Sequence, residues 1–340
     1  MKALFIGGTG TISSAISRKL VQDGHELYLI NRGNQRDRVP AGAHVLQADV
    51  NDEALVAELI GEHRFDVVAD FIAFKPEQVE RDYRLFQGKT KQFIFISSAS
   101  AYQTPLSDYR ITEGTPLSNP LWAYSRDKIA CEEYLMNQYR DNGFPITIVR
   151  PSHTYDETKI PLGVHGAKGS WQVAKRMLEG KPVIIHGDGT SLWTMTHNSD
   201  FAKGFIGLMG NIHAIGESVH ITSDETVTWN QVYEAIADAL GVQLNAVHVA
   251  SSFLAACSSS ARDYRGGLLG DKANSVVFDN AKLKRLVPDF AATTRFDQGI
   301  RQTIGHILAH PELQTEDPEF DEWCDKVIHA LDAAVAAIKE

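Results

Sequence analysis

The chain has 340 residues, a formal net charge of −10 at neutral pH and a calculated isoelectric point of about 5.7. This length is enough for one or two domains with a large buried core. The acidic balance argues against binding to nucleic acid or to an anionic membrane surface, because both need basic patches.

The first predicted strand leads directly into a glycine-rich turn. Residues 2–6 (KALFI) are a short apolar run, and GGTGTIS follows before the apolar face of a predicted helix. Glycines let the backbone approach a diphosphate, whose charge is met by amides at the helix N-terminus. Ser13 stands where the third glycine of the usual spacing would be. A dinucleotide cradle is predicted here, with an ordinary loop as the alternative. The predicted cofactor contacts are Gly7, Gly10, Thr11 and Ile12.

The second predicted strand, in GHELYLINRG, ends at Asn31 and Arg32. Sites that prefer NAD commonly have an acidic residue at this place, which binds the adenosine ribose, whereas an arginine can pair with the 2′-phosphate of NADP. The missing acid therefore favours NADP over NAD. The alternative is that Arg32 stacks on the adenine or points to solvent.

Two more strands are predicted to end near the cofactor. Residues 45–50 end the third strand, where Asp49 is placed to bind the adenine amino group and Val50 lies beside it. Residues 65–74 form the fourth strand, and its last part is expected to contact the cofactor through Phe71, Ile72 and Ala73.

A serine, a tyrosine and a lysine then follow in an order typical of redox catalysis. Ser98 ends the fifth predicted strand (residues 92–97), and Tyr124 and Lys128 lie four residues apart, on one face of a helix. A tyrosine is a useful base near neutral pH only if its pKa falls from about 10, and a nearby ammonium lowers it. Ser98, Tyr124 and Lys128 are the predicted catalytic residues.

The sixth predicted strand, residues 145–151, is followed by His153, which we expect to face the nicotinamide. The other histidines show no metal-ligand spacing, so no metal is predicted.

Residues 200–209 are predicted to return to the main sheet as a helix, and residues 218–222 as its last strand. The C-terminal helix carries an apolar stripe that we expect to dock on the body or on a second subunit: Trp323, Val327, Leu331, Ala334 and Ile338.

With these motifs, the chain resembles the extended short-chain dehydrogenases/reductases, the NAD-dependent epimerase/dehydratase family. The resemblance runs from GGTGTIS through SSASAY, AYSRDK and VRPSHTY to HNSDFA. It implies an α/β fold, namely a Rossmann-type doubly wound parallel sheet, with a smaller discontinuous C-terminal substrate domain. The implied nucleotide-binding domain is residues 1–155 and 198–224, and the implied substrate domain is residues 156–197 and 225–340, with C-terminal helices. Lys128 would also hold the nicotinamide ribose, and Pro151 and His153 would line the nicotinamide.

Two departures from the family bear on the substrate. Ala99 and Ser100 stand where the sugar-nucleotide dehydratases carry an Asp-Glu pair, and neither can eliminate water. Trp193 stands where the nucleotide-sugar epimerases carry an arginine that grips the diphosphate, which puts a nucleoside diphosphate substrate in doubt. Ser100 and Trp193 are the predicted substrate contacts, with plain packing as the alternative for Trp193.

The sequence thus predicts an NAD(P)-dependent epimerase or oxidoreductase that acts on a sugar or sugar-derived alcohol. The alternatives are an NAD(P)-binding redox-sensing regulator and a nucleotide-sugar epimerase.

The three cysteines are far apart in the sequence, which is typical of reduced thiols in cytoplasmic proteins. No apolar run approaches the length of about 18 residues that a membrane span needs. We therefore expect a cytoplasmic protein with a small-molecule substrate and no signal peptide. A homodimer is compatible with the sequence but not required by it.

Overall fold

The computed structural model describes residues 1–258 and 262–339, and its internal contacts divide into two compact units. The first unit contains residues 1–154, 196–224 and 278–293. The second contains residues 155–195, 225–277 and 294–340. Residues 259–261 and 340, which the predicted substrate domain includes, lie outside the described residues.

The strands of the described chain are, in order, β1 (Lys2–Ile6), β2 (Glu26–Asn31), β3 (His44–Gln47), β4 (Val67–Asp70), β5 (Phe93–Ile96), β6 (Arg110–Ile111), β7 (Ile146–Pro151), β8 (His153–Tyr155), β9 (Val183–His186), β10 (Leu192–Trp193), β11 (Met195–His197), β12 (Ser218–Ile221), β13 (Val227–Thr228), β14 (Ala246–Val249) and β15 (Val277–Phe278).

The α-helices of the same residues are α1 (Ser13–Gln22), α2 (Glu53–Ile60), α3 (Pro76–Phe86), α4 (Ala123–Asn142), α5 (Trp171–Leu178), α6 (Asn198–Leu208), α7 (Trp229–Leu240), α8 (Ser251–Ala256), α9 (Ala281–Leu286), α10 (Phe296–Ala309) and α11 (Pro318–Lys339). Among the described residues, no helix has both the length and the apolar character needed to cross a membrane.

A seven-stranded parallel sheet in the order β12-β7-β5-β4-β1-β2-β3 forms the centre of the described part of the first unit. Alternate residues of β1 face opposite sides: Ala3 and Phe5 pack against α1 and α6, whereas Leu4 and Ile6 belong to the cluster that α2, α3 and α4 cover. Both faces of the sheet are therefore buried, as parallel sheets require. The predicted α/β, Rossmann-type doubly wound class is confirmed.

The fourth strand is shorter than predicted, and its last residue explains why. Strand β4 ends at Asp70, not at residue 74. The Asp70 carboxylate accepts hydrogen bonds from the backbone amides of Ile72 and Ala73, which turns the chain away from the sheet. The third strand also ends early, at Gln47, so Asp49 lies in the loop that follows β3.

The described part of the second unit contains helices and short pairs of strands. Strands β9 and β14 pair in parallel, and β10 and β13 pair antiparallel. The first half of α11 is held by Arg176, whose guanidinium bonds Asp321 and Asp325 at 2.8 and 2.7 Å. Of the predicted stripe on α11, Val327 is buried, whereas Ile338 is 85% exposed.

Residue Gly8 offers a test of how tightly the first turn packs. It has a φ of +93°, and a Cβ there would lie 2.5 Å from Leu29 Cδ2. We expect Gly8→Ala to lower the free energy of unfolding by about 2–4 kcal/mol, because backbone strain adds to overpacking. Gly24→Ala is the matched control, since its φ is +78° but no atom lies within 4 Å, and about 1 kcal/mol is expected. Urea unfolding measures both, and equal losses would contradict the packing argument.

Candidate active site

The predicted cofactor and catalytic residues of the first unit gather along one edge of its sheet. Strands β1, β2, β4, β5 and β7 are parallel, so their carboxyl ends share an edge. This edge is where open α/β sheets bind their ligands. The predicted residues that directly follow or end these strands are Gly7, Asn31, Arg32, Phe71, Ile72, Ala73, Ser98, Pro151 and His153.

The glycine-rich turn is held from within the first unit. Gly7 has a φ of +101°, and its amide donates to the Ile30 carbonyl at 3.0 Å. Ser17 in α1 donates to the Gly8 carbonyl at 2.8 Å. The Gly10 amide donates to Ser13 Oγ at 3.0 Å, so the serine at the third-glycine position fixes the turn as well as permitting close packing. Thr11 and Ile12 follow at the start of α1.

The end of β2 presents an amide and a guanidinium. Asn31 Oδ1 accepts from the Gly33 amide at 3.0 Å, while the buried Asn31 Nδ2 has no hydrogen-bond partner in the described structure. Arg32 is exposed. Asp49 is also exposed and accepts from the Asn51 amide at 2.9 Å, and Val50 beside it is buried. A polar ligand at this edge would satisfy the Asn31 amide, which is consistent with a nucleotide cofactor.

Lys128 is buried at the junction of α4 and the sheet. Its ammonium donates to the carbonyls of Ala73 at 2.6 Å and Ile96 at 2.7 Å, directly after β4 and at the end of β5. The Nζ atom also lies 4.6 Å from the ring centroid of Phe74 and 4.8 Å from that of Phe95. These contacts fix the ammonium in a largely apolar site.

Burial lowers the pKa of Lys128 to about 8, and the nearby Asp70, Cys131 and Glu132 oppose this effect. Burial raises the pKa of the Cys131 thiol to about 12, so the thiol is neutral in this site. The Lys128 ammonium is therefore close to its titration point near neutral pH. Small changes in the surrounding charge would change its protonation.

Tyr124 lies one helical turn before Lys128, and aromatic rings flank it. Its ring centroid is 6.1 Å from that of Phe74 and 4.8 Å from that of Trp122. The Lys128 Nζ atom is 6.0 Å from the Tyr124 ring centroid. The four-residue spacing of Tyr124 and Lys128 thus brings the tyrosine ring and the ammonium close together, as the sequence predicts.

Ser98 ends a chain of hydroxyl groups that sequence reasoning missed. Ser125 Oγ donates to Ser100 Oγ at 2.8 Å, and Ser100 Oγ lies 2.9 Å from Ser98 Oγ. The Ser100 amide donates to Ser98 Oγ at 3.2 Å. Either hydroxyl can be the donor in the contact between Ser98 and Ser100, because Ser100 Oγ has lone pairs for both of its serine neighbours. In the arrangement where Ser100 donates to Ser98, the Ser98 proton can be donated to another acceptor.

A buried ion pair supports the same helix. Arg150 in β7 donates to Glu132 in α4 from Nε at 2.9 Å and from Nη2 at 2.5 Å, and the Ser97 hydroxyl donates to the same carboxylate. Arg150 also lies over the Tyr102 ring at 4.8 Å. Both charged side chains are under 5% exposed. The pair joins α4 to β5 and β7 below the candidate catalytic residues.

The two predicted substrate contacts differ in their surroundings. Ser100 is 8% exposed and belongs to the hydroxyl chain. Trp193 lies in the second unit, where it is 3% exposed and its ring packs 5.5 Å from that of Trp229. This burial favours the packing alternative for Trp193, and its stacking on a sugar ring stays a prediction.

Sequence reasoning also missed Asp70, Arg81 and Asp82. These three charged residues are buried together at the end of β4 and on α3. The only signal in the sequence is an acid that ends the apolar run VVAD. A charged residue at the end of a strand is common, and its burial depends on the helix that packs over it.

Comparison with known proteins places these motifs in context. A model of the NAD dependent epimerase/dehydratase family matches residues 3–222. A 2′-dehydrokanamycin reductase from Streptomyces kanamyceticus is 25% identical over 290 residues, covering 85% of this chain and 80% of the reductase. A UDP-glucose 4-epimerase from Lactobacillus helveticus is 29% identical over 169 residues, covering 44% of this chain and 51% of the epimerase.

Solved structures share the fold. The UDP-glucuronic acid 4-epimerase from Bacillus cereus, crystallised in complex with NAD, aligns with a TM-score of 0.72 and 18% identity, covering 90% of this chain and 96% of that one. At this identity the likeness establishes the fold alone.

The buried pair of Glu132 and Arg150 gives a prediction for stability. Glu132→Gln leaves the Arg150 guanidinium without its counter-charge, and we expect the free energy of unfolding to fall by about 3–5 kcal/mol. Glu53→Gln is the matched control, because its pair with Arg84 is about half exposed and no measurable change is expected. Urea denaturation of both variants tests this. Similar midpoints for Glu132→Gln and the wild type would show that the pair contributes little.

Proposed function

The chain belongs to the NAD-dependent epimerase/dehydratase family, and on that premise we propose that it transfers a hydride between a nicotinamide cofactor and one carbon of a sugar or sugar-derived alcohol. The observation that supports this best is the fixed position of Lys128. Its ammonium is bound to the carbonyls of Ala73 and Ile96, so the lysine and the neighbouring Tyr124 lie at the ligand-binding edge of the sheet.

The residues at this edge fit a dinucleotide. The positive φ angles of Gly7 and Gly8 and the unsatisfied Asn31 Nδ2 are features that a diphosphate and a ribose would use. Ile72 and Phe74 are 41% and 46% exposed, and a planar ring would cover such apolar surface. When bound, NAD supplies a hydride acceptor or donor. The proposed contacts are Gly7, Gly10, Thr11, Ile12, Asn31, Arg32, Asp49, Val50, Phe71, Ile72, Ala73, Pro151 and His153.

The proposed proton transfer uses Tyr124 and Ser98. In the oxidising direction a bound nicotinamide would accept the C–H hydrogen of the alcohol as hydride, and the Tyr124 phenolate would take the hydroxyl proton. The Ser98 hydroxyl would donate to the oxygen of the resulting carbonyl. The Lys128 ammonium favours the phenolate by Coulomb attraction and is proposed to hold the nicotinamide ribose.

The choice between net oxidoreduction and epimerisation is open within this proposal. The reductase relative aligns with most of the chain, which supports a net oxidoreductase. The UDP-glucose 4-epimerase relative aligns with less than half of it and supports a nucleotide-sugar epimerase as the alternative. Dehydration is not proposed, because Ala99 and Ser100 supply neither an acid nor a base. A redox-sensing regulator would not need the Ser98, Tyr124 and Lys128 set.

The division of labour between the two units is also a proposal. We assign cofactor binding to the first unit and substrate binding to the second, close to the ranges that the sequence predicts. The largest difference is residues 278–293, which the sequence assigns to the substrate domain and the structure groups with the first unit; residues 155 and 196–197 also change sides. A cytoplasmic location and a homodimer stay predictions.

Turnover of candidate substrates tests the proposed function. The wild type is incubated with NAD(H) or NADP(H) and with free sugars, sugar acids, keto-aminoglycosides and UDP-sugars, while cofactor absorbance and product stereochemistry are followed. We expect turnover of at least one sugar-derived substrate. Tyr124→Phe should lose about 10²–10⁴-fold of that rate and keep its cofactor affinity, because only the proton acceptor is removed.

Tyr109→Phe is the matched control for this experiment, since Tyr109 is 64% exposed and should leave the rate unchanged. Cofactor binding without turnover of any member of the panel favours the regulator. Inversion of a UDP-sugar without net change in cofactor absorbance favours the nucleotide-sugar epimerase. A near-normal rate in Tyr124→Phe rules out its proposed role.

The cofactor preference has a separate test. We propose that Arg32 pairs with the 2′-phosphate of NADP, because no acid stands at the end of β2. Arg32→Ala should weaken NADP binding by roughly ten- to a hundredfold and leave NAD binding nearly unchanged, as losing a charge-assisted hydrogen bond costs roughly 1.5–3 kcal/mol. Calorimetric titration with both cofactors measures this, and Arg18→Ala on α1 is the control. Equal losses for both cofactors in Arg32→Ala would overturn the preference.

A further inference from the structure

Asp70 is a fully buried carboxylate that the proposed chemistry does not use. It ends β4, and its Oδ1 accepts from the amides of Ile72 at 2.5 Å and Ala73 at 2.8 Å. The carbonyl of Ala73 is in turn an acceptor of the Lys128 ammonium, at 2.6 Å. One carboxylate therefore fixes the turn that carries an acceptor of the catalytic lysine.

Two further charged side chains are buried beside Asp70. Arg81 Nη2 lies 3.6 Å from Asp70 Oδ2 and donates to Asp82 Oδ1 at 2.7 Å. Arg81 Nη1 donates to Asn51 Oδ1 at 2.8 Å. Burial, and next the Asp70 charge, raise the pKa of Asp82 well above its usual range. This shift favours the protonated form of Asp82, and Arg81 lies close enough to both carboxyl groups to offset part of their negative charge.

Such a group of buried charges is expensive, since each ion loses its hydration. An asparagine at position 70 would also accept the two amide hydrogen bonds, without a charge. The carboxylate adds one thing that asparagine lacks, which is a negative charge close to Lys128. This charge opposes the effect of burial on the lysine, and it raises the pKa of Lys128.

We propose that Asp70 is the positioning residue of Lys128: it fixes the turn at residues 71–73 that holds the ammonium, and its charge keeps the ammonium protonated in an apolar site. The catalytic importance of this device rests on the proposed function, whereas the coupling of the two residues does not. The charged and titratable groups that surround the lysine come from three elements: Asp70 from β4, Arg81 and Asp82 from α3, and Tyr124, Cys131 and Glu132 from α4.

The test measures the titration of Lys128 directly, without substrate. The full chain is labelled with ¹³C at lysine Cε, and the Lys128 resonance is identified by its absence in Lys128→Met. In the wild type the resonance should titrate near pH 8. In Asp70→Asn it should titrate about one unit lower or more, because an opposite charge is removed. Unchanged titration in a folded Asp70→Asn protein overturns the proposal.

Asp66→Asn is the matched control at the other end of the same strand. Asp66 accepts from the Lys2 amide at 2.8 Å and pairs with Lys91, away from the ligand-binding edge. Its loss should leave the Lys128 titration unchanged. A shift as large as that in Asp70→Asn would show that the lysine responds to general loosening of the fold, and would also overturn the proposal.

Asp82→Asn provides a second test by the same NMR titration if Asp70→Asn does not fold. This variant removes a neighbouring carboxyl group and keeps the Asp70 carboxyl group in place, so the Lys128 titration should stay near pH 8 or move higher. A fall in the pH at which Lys128 titrates would contradict the assignment of the charge to Asp70.

Calorimetric titration with NAD adds a second readout. Asp70→Asn should bind NAD several-fold more weakly than Asp66→Asn, and equal affinities would contradict the positioning role.

The two proposals fail in different ways. If the wild type binds neither NAD nor NADP, the proposed function fails, while the NMR titration still decides whether Asp70 controls Lys128. If NAD binds and sugar-derived substrates react, but Lys128 titrates alike in the wild type and in Asp70→Asn, only the positioning role is lost.

Discussion

The first unit depends on the hydrogen bonds of one buried ammonium. Lys128 donates to the carbonyl of Ala73, in the turn after β4, and to that of Ile96, the last residue of β5, and so connects α4 to the carboxyl edge of the sheet. Burying an ammonium is unfavourable unless its donors are satisfied. Here the carbonyls of Ala73 and Ile96 accept from the ammonium at 2.6 and 2.7 Å, so backbone groups satisfy two of its three donors.

The same helix carries a second buried charge one turn later. Glu132 binds Arg150 and Ser97, so α4 contacts the sheet through a polar row rather than an apolar one alone. Arg150 also packs on the ring of Tyr102, and the Tyr102 hydroxyl lies 3.0 Å from Nδ1 of His220 in β12. The polar contacts therefore extend from α4 to β12. Burial lowers the pKa of His220, so the imidazole is neutral and extends the network without adding charge. Polar networks of this kind specify one arrangement of helix and strand, because a shift would leave several groups unsatisfied.

Much of the fold and part of the candidate site follow from local sequence. The glycine turn directly follows the apolar run of β1, and Ser98 comes two residues after the apolar run of β5, so each motif can be recognised from neighbouring residues. The spacing of Tyr124 and Lys128 is likewise a property of one helix. What the sequence does not reveal is mainly tertiary: the burial of Asp70 beside α3 and the contact of Ser125 with Ser100 both depend on elements brought together by folding.

The hydroxyl of Ser13 has a consequence for the thermodynamics of ligand association. Because Ser13 Oγ accepts from the Gly10 amide, the chain itself orders the turn, and less backbone entropy would remain to be lost if a dinucleotide binds there. The same bond occupies an amide that an open turn would offer to a diphosphate. Relative to a turn with glycine at position 13, binding here would therefore gain less from hydrogen bonds to the turn and more from preorganisation.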